Sequence, residues 1–319
     1  MDRRDFLKKG TVAAGLAASQ KVLQPLAAGA TSSFPKRALG KTGEHLSIIA
    51  LGGIVVTDTE QSFANNIVAE AFDRGINYFD VAPTYGNAQE RLGPALEPYR
   101  KRVFLACKTT ERSRAGAKAE LDESLRLLRT DHLDLYQLHA LTKMDDLETA
   151  LGPNGAMETF VQARKEGKVR FIGFSAHSVE TALEAIKRFD FDTILFPLNF
   201  VLFSQANFGP QVLEAARQKG MGILALKAMA KGVWPQAQKK NHPFSKCWYE
   251  PAALPEQASM GLRWTLSHPI TAAVPPGEEK YFRLAMDVAQ GFKPISTEEE
   301  KTLMAGAAGA EPLFRLGNA

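Results

Sequence analysis

The stretch that decides the fold runs Ile76-Asn77-Tyr78-Phe79-Asp80-Val81, then a turn-rich segment, then an amphipathic run from Gln89 to Tyr99, then Val103-Phe104-Leu105-Ala106-Cys107-Lys108. Its two short apolar runs are nearly continuous rather than alternating, which is the pattern of strands covered on both faces. The segment between them repeats its apolar residues at helical spacing. Strand, helix, strand in that order predicts a parallel pair joined by a helical crossover.

The same unit recurs on either side. Further apolar runs are His45 to Leu51, Leu133 to His139, Val169 to Phe174, Thr193 to Pro197, Gly222 to Leu226 and Thr271 to Val274. Between them lie helical stretches: Gln61 to Arg74, Ala117 to Leu128, Met157 to Lys165, Val179 to Arg188, Pro210 to Lys219, Pro255 to Ser267 and Glu278 to Gln290. Several stop on a charged residue and a glycine, as in Arg74-Gly75 and Lys219-Gly220, because glycine adopts the left-handed conformation that ends a helix. Eight units without a composition break predict one α/β domain, a (β/α)8 TIM barrel. An open doubly wound sheet is the competing architecture.

Composition narrows the function. The chain of 319 residues is 45% hydrophobic and 23% charged, an ordinary globular balance. Its net charge of +4 is spread along the sequence, so nothing marks a nucleic-acid partner. Two distant cysteines, Cys107 and Cys247, supply neither a disulfide framework nor a metal-binding spacing, and no metal is expected.

The N-terminus is a different kind of sequence. Met1-Asp2-Arg3-Arg4-Asp5-Phe6-Leu7-Lys8-Lys9 precedes a small, weakly apolar run from Gly10 to Ser19 and then Ala28-Gly29-Ala30. A charged start, a short apolar middle and small residues at the end describe a signal peptide, and the run is too short to span a bilayer. The paired arginines followed by x-Phe-Leu-Lys resemble the twin-arginine export signal, with Asp2 where Ser or Thr is usual. Residues 1–30 are therefore expected to be an export signal read by the twin-arginine machinery, and residues 31–319 a barrel that is periplasmic or otherwise exported once the signal is removed.

In a barrel of this kind chemistry gathers at the C-terminal ends of the strands. The second strand runs into Asp80-Val81-Ala82-Pro83-Thr84-Tyr85-Gly86-Asn87, the third ends at Cys107-Lys108-Thr109 and the fourth at Gln137-Leu138-His139. Asp, Tyr, Lys and His converge on one mouth. Hydride arriving at a carbonyl carbon leaves charge on oxygen, and the phenol of Tyr85 is a proton donor for it. Its ordinary pKa of about 10 is high for the task; Lys108 would favour its ionisation, Asp80 would hold the lysine, and His139 would orient the substrate oxygen. Taken singly, Asp80 also reads as a turn cap and Tyr85 as packing.

Phe79-Asp80-Val81-Ala82-Pro83-Thr84-Tyr85-Gly86 with Glu90-Arg91-Leu92-Gly93, the lysine closing the third strand, and Asp134-Leu135-Tyr136-Gln137-Leu138-His139 resemble the aldo-keto reductase family. Leu39-Gly40-Lys41-Thr42-Gly43 is similar to that family's opening hairpin, so the barrel should carry an N-terminal β-hairpin. The resemblance implies a catalytic tetrad of Asp80, Tyr85, Lys108 and His139. It also implies a small-molecule carbonyl substrate and an extended nicotinamide cofactor, NADPH with NADH as the alternative.

The absence of a Gly-x-Gly-x-x-Gly turn disfavours a Rossmann fold, and Pro35 stands where a phosphate loop before Gly40-Lys41-Thr42 needs glycine. The resemblance points instead to Ser175, followed by Ala176 where the family has asparagine, and to His177 as either a substitute donor or a plain loop residue. It points further to Asn199 after the sixth strand, to Lys227 in place of a ring-stacking aromatic, and to Arg283 as the phosphate contact. Gly277 and Glu278 replace a Lys-Ser pair. The long loop from Ala228 to Leu254, with Trp234, Trp248 and Tyr249, is either a lid or a surface loop.

Two further classes stay open: a Schiff-base lyase or aldolase with Lys108 or Lys227 as its amine, and a nucleotide-binding sensor or scaffold with little turnover. The export reading predicts that replacing Arg3 and Arg4 by lysine leaves the protein folded but retained in the cytoplasm. Cell fractionation checks this, and an unchanged periplasmic yield contradicts it.

Overall fold

In the computed structural model, which describes residues 34–316, the chain opens on an antiparallel hairpin, β1 (Lys36–Ala38) with β2 (His45–Ser47). The export signal expected at residues 1–30 lies outside the described residues. The barrel wall follows as β3 (Leu51–Gly52), α1 (Gln61–Asp73), β4 (Tyr78–Asp80), α2 (Ala88–Leu96), β5 (Phe104–Thr109), α3 (Arg114–Leu127) and β6 (Leu133–Leu141). It continues through α4 (Met144–Leu151), α5 (Ala156–Lys165), β7 (Val169–Ala176), α6 (Val179–Arg188), β8 (Thr193–Pro197), α7 (Phe200–Ala206), α8 (Pro210–Gln218) and β9 (Gly222–Leu226). A small pair, β10 (Ala230–Gly232) with β11 (Glu250–Pro251), precedes α9 (Pro255–Leu266), β12 (Ala272–Val274), α10 (Glu279–Gln290) and α11 (Thr297–Gly306).

Eight parallel strands run in the order β12-β9-β8-β7-β6-β5-β4-β3. The ring closes where Ile49 bridges Ala273 in parallel, with the Ala273 amide donating to Ile48 O at 2.9 Å and the Ala50 amide to Ala273 O at 3.0 Å. Inward side chains fill the barrel with Leu46, Ala50, Tyr78, Phe104, Ala106, Leu135, Leu195, Leu224 and Ala272. Outward ones meet the helices in the larger core that includes Phe79, Leu105, Tyr136, Phe174 and Ile194. The expected (β/α)8 barrel is the fold.

The apolar run His45 to Leu51, expected as one strand, divides. Its first half pairs with β1 across the barrel floor, and the rest enters the wall through Ile49 and β3. Hydrophobicity is continuous because both halves are buried, although in different layers. Helices α4, α7 and α11 were not expected. Helix α7 reads FVLFSQA, polar only at Ser204 and Gln205, and is set by the Asn199 side chain accepting from the Leu202 amide. Cys107 and Cys247 are both free and buried.

The hairpin turn closes the floor through a close backbone approach. Gly40 has φ +54°, and a Cβ there would lie 2.3 Å from Gly222 N and 2.5 Å from Gly220 O. Gly43 has φ +84° but faces open space. Gly43→Ala should therefore cost the left-handed strain alone, about 1–2 kcal/mol, while Gly40→Ala adds a backbone clash and should cost about 3 kcal/mol or more. Urea denaturation of both variants checks the ordering; equal losses would contradict the close approach.

Candidate active site

Asp80 ends β4 and Lys108 lies near the end of β5, where parallel pairing sets Asp80 opposite Ala106. Ala106 and Lys108 are two residues apart on one strand, so both side chains point into the barrel. That brings the Lys108 ammonium onto Asp80 Oδ1 in an ion pair between two buried side chains. Val81 O accepts a second Lys108 proton at 3.3 Å. The other Asp80 oxygen accepts from the Tyr78 hydroxyl and from Gln137 Nε2, each at 3.3 Å. Burial alone would lower the lysine, but Asp80 and Tyr85 reverse this and push it up to about 12.

Tyr85 sits on the loop after β4. Thr57 Oγ1 donates to its carbonyl at 3.0 Å, and Gly86 takes φ +54° just beyond it. The Lys108 Nζ stands 5.1 Å from the centroid of the Tyr85 ring. Burial raises the phenol above its ordinary range and outweighs the lysine, which acts in the opposite direction. Tyr85 is thus a neutral phenol at physiological pH, with the Lys108 cation next to it.

His139 is turned into the same space by an irregularity in β6. Pairing with β7 slips between Leu138 and Leu141, Ala140 adopts φ +54°, and its amide donates to Ser175 Oγ at 2.7 Å. The His139 carbonyl accepts from Arg112 at 2.6 Å. The imidazole stands edge-on to Tyr85, with centroids 5.8 Å apart, and its Nδ1 lies 3.4 Å from Thr84 Oγ1. Burial, reinforced by Lys108, lowers it to about 3, so it works as a neutral ring.

These groups line a cavity of about 300 Å3, shared with Ser175, His177 and Lys227 and roofed in part by Trp248 and Tyr249. His177 follows β7, stacks on Phe314 at 5.1 Å and buries Nε2 without a partner; burial and Lys227 lower it to about 3. Lys227 takes φ +67°, its carbonyl accepting from Asn199 Nδ2 at 3.1 Å. Its amine stands 4.7 Å from the Tyr249 ring centroid and 5.0 Å from that of Trp248, and burial lowers it to about 8.

The sequence pattern that defines the Aldo/keto reductase family matches residues 49–296. The chain belongs to that family. It is an NAD(P)H-dependent oxidoreductase. Among relatives, the uncharacterized oxidoreductase YqkF of Bacillus subtilis is 27% identical over 297 residues, covering 83% of this chain and 94% of that protein. The L-galactose dehydrogenase of Arabidopsis thaliana is 26% identical over 233 residues, covering 66% and 70%. In structure the barrel is similar to the holo form of an aldo-keto reductase from Bacillus halodurans, with TM-score 0.67, 23% identity and coverage of 87% and 98%.

The cavity fits a nicotinamide in part. A carboxamide needs one donor and one acceptor, and it would meet the unpartnered His177 Nε2 and the Ser175 hydroxyl, which accepts from Ala140 and keeps its own proton to donate. Two expected contacts lie elsewhere. Asn199 is outside the cavity lining, where it caps α7 and holds the Lys227 carbonyl. Arg283, on α10, also lies outside that lining; it is half-exposed and paired with Glu70 and Glu279. Lys246 was missed by sequence reading. Its amine donates to Val55 O at 2.8 Å and its amide to Glu278 at 2.7 Å, so it straps the long loop across the mouth. Only the loop's length signalled it.

The folded pKa of His177, about 3, lies below the unfolded value of about 6.5, so between these pH values the unfolded chain binds more protons. Stability therefore falls as pH drops through that window. His177→Phe keeps the stack on Phe314 and removes the titration. Between pH 6 and pH 4 wild type should lose about 1 kcal/mol per pH unit more than the variant in urea unfolding. Parallel losses would contradict a neutral buried His177.

Proposed function

We propose that the protein reduces an aldehyde or ketone to an alcohol with NADPH, Tyr85 delivering the proton. One observation carries this reading: the buried Asp80–Lys108 pair stands behind Tyr85, facing the same cavity as a neutral His139. NADPH, when bound, would supply the hydride for the carbonyl carbon. The chain handles the oxygen. His139 hydrogen-bonds it without adding charge, Tyr85 gives up its phenolic proton to it, and Lys108 stabilises the tyrosinate left behind. Asp80 keeps the lysine charged and aimed, and solvent reprotonates the tyrosine.

Ser175 and His177 would hold the carboxamide, with Lys227 beside the ring and Asn199 fixing Lys227 from behind. For the NADPH phosphate we assign Arg283, whose exposed guanidinium would exchange Glu70 or Glu279 for the phosphate. We place the enzyme in the periplasm on the strength of Arg3-Arg4 and the apolar run after them. The twin-arginine route moves folded proteins, so nucleotide can travel bound within the barrel.

The imine-forming alternative loses one of its two amines. Lys108 is fixed as an ammonium by Asp80, so only Lys227 retains amine chemistry near neutral pH.

Tyr85→Phe removes one hydroxyl and keeps the ring, so nucleotide affinity should hold while carbonyl reduction falls about 10²- to 10⁴-fold. Lys108→Met should slow the same step and also destabilise the fold by about 3–5 kcal/mol, because Asp80 is left buried and unpaired. Single-turnover NADPH oxidation with a reactive aldehyde, run beside thermal melts, separates the two. A wild-type rate in Tyr85→Phe would end the tetrad reading.

A further inference from the structure

Lys227 is the cation in the cavity that the proton-delivery machinery leaves unused. Lys108 is neutralised by Asp80, and Lys246 is tied to the Val55 carbonyl at the mouth. Lys227 has no carboxylate partner among the described residues; its neighbours are the rings of Tyr249 and Trp248 and the thiol of Cys247. Its position is fixed rather than incidental. A left-handed backbone, costly for a side chain that bears a Cβ, is held there by the Asn199 side chain and by the Ala230 amide donating to the Lys227 carbonyl at 2.9 Å.

A nicotinamide ring that reaches a carbonyl beside Tyr85 must lie in the same cavity of about 300 Å3 that Lys227 lines. The ring is neutral when reduced and carries a full positive charge when oxidised. A fixed ammonium in a small, poorly hydrated space therefore repels one redox form and not the other. We propose that Lys227 is a redox-discriminating residue: it expels the oxidised nicotinamide and favours the reduced one, and so sets the protein to work as a reductase. The inference rests on the reductase reading and adds its direction.

The neighbouring titratable groups leave Lys227 to act alone near neutral pH. His177 after β7 and His139 on β6 are lowered to about 3, and Lys108 on β5 is raised to about 12 through its pair with Asp80 on β4. Cys247 is raised to about 12, and Tyr249 and Tyr85 lie above the ordinary phenol range. Lys246 is lowered by burial but stays bonded at the mouth. Lys227, at about 8, titrates where the discrimination is measured.

The test is the ratio of dissociation constants for NADP+ and NADPH, from fluorescence titration of the intact protein with each nucleotide. Wild type should favour NADPH at pH 7, and the preference should fade as pH rises through about 8. Lys227→Met should lower the ratio about tenfold at pH 7, equivalent to a drop of about 30 mV in the potential of the bound couple. Lys227→Arg, which stays charged, should keep the preference to pH 9. A ratio that Lys227→Met leaves unchanged overturns the proposal; if both affinities fall together, Lys227 reads the phosphates common to both nucleotides. Wild type that binds neither form overturns the reductase reading, and this inference with it.

Discussion

The ion pair between Asp80 and Lys108 is the constraint on which the site depends. Removing two charges from water costs several kcal/mol each, and the pair offsets this only while both partners and their hydrogen bonds are in place. Tyr78, Gln137 and the Val81 carbonyl supply those bonds, so the tips of three adjacent strands are tied to one centre. The parallel register makes this possible by bringing β4, β5 and β6 to the same height. The barrel then sets the distance from lysine to tyrosine, because Tyr85 follows β4 by a short loop that Thr57 and the Gly86 turn pin in place.

The second consequence is electrostatic. A barrel mouth dry enough to raise the phenol also strips charge from the histidines, and His139 and His177 both end as neutral rings. The same dryness lowers Lys227, which has no carboxylate to compensate it. Burial disfavours the charged form of every group, so it raises the phenol and lowers the imidazoles and the lysines. What separates the two lysines is the partner each finds. Lys108 finds Asp80 and rises, whereas Lys227 finds only aromatic rings and falls.

Much of this was legible in the sequence, and the limits have physical origins. Continuous apolar runs gave away the buried parallel strands, and the four residues at strand ends converge as their order suggested. The run His45 to Leu51 was misleading because burial in the floor and burial in the wall produce the same hydrophobicity. Helix α7 was invisible for another reason: short and packed on α9 and α11, it carries polar residues only at Ser204 and Gln205, too few to show a period. The slip in β6 at Ala140, which turns His139 inward, has no compositional signal, since a left-handed alanine is held by its Ser175 contact and not by its own preference. Asn199 and Arg283 were singled out by their positions along the chain, and what the sequence did not show is the protein partners that hold their side chains: Asn199 at α7 and Lys227, Arg283 at two carboxylates.

The loop over the mouth acts on both the ion pair and Lys227. Trp234 Nε1 donates to the Cys247 carbonyl at 2.9 Å within the loop, and Lys246 reaches across to Val55, so the segment carrying Trp248 and Tyr249 is braced from inside and tied across the mouth. Anchoring excludes water from one wall while leaving Trp248 59% exposed at the rim. Excluded water strengthens every charge inside, the Asp80–Lys108 attraction and the isolation of Lys227 alike. A roof that loosened would rehydrate Lys227 and return it toward an ordinary lysine. The deeper pair, buried on both partners, would change little. In the proposed reaction, proton delivery to the carbonyl would rest on the barrel and the charge environment of the ring on the loop, two elements that sequence change can alter separately.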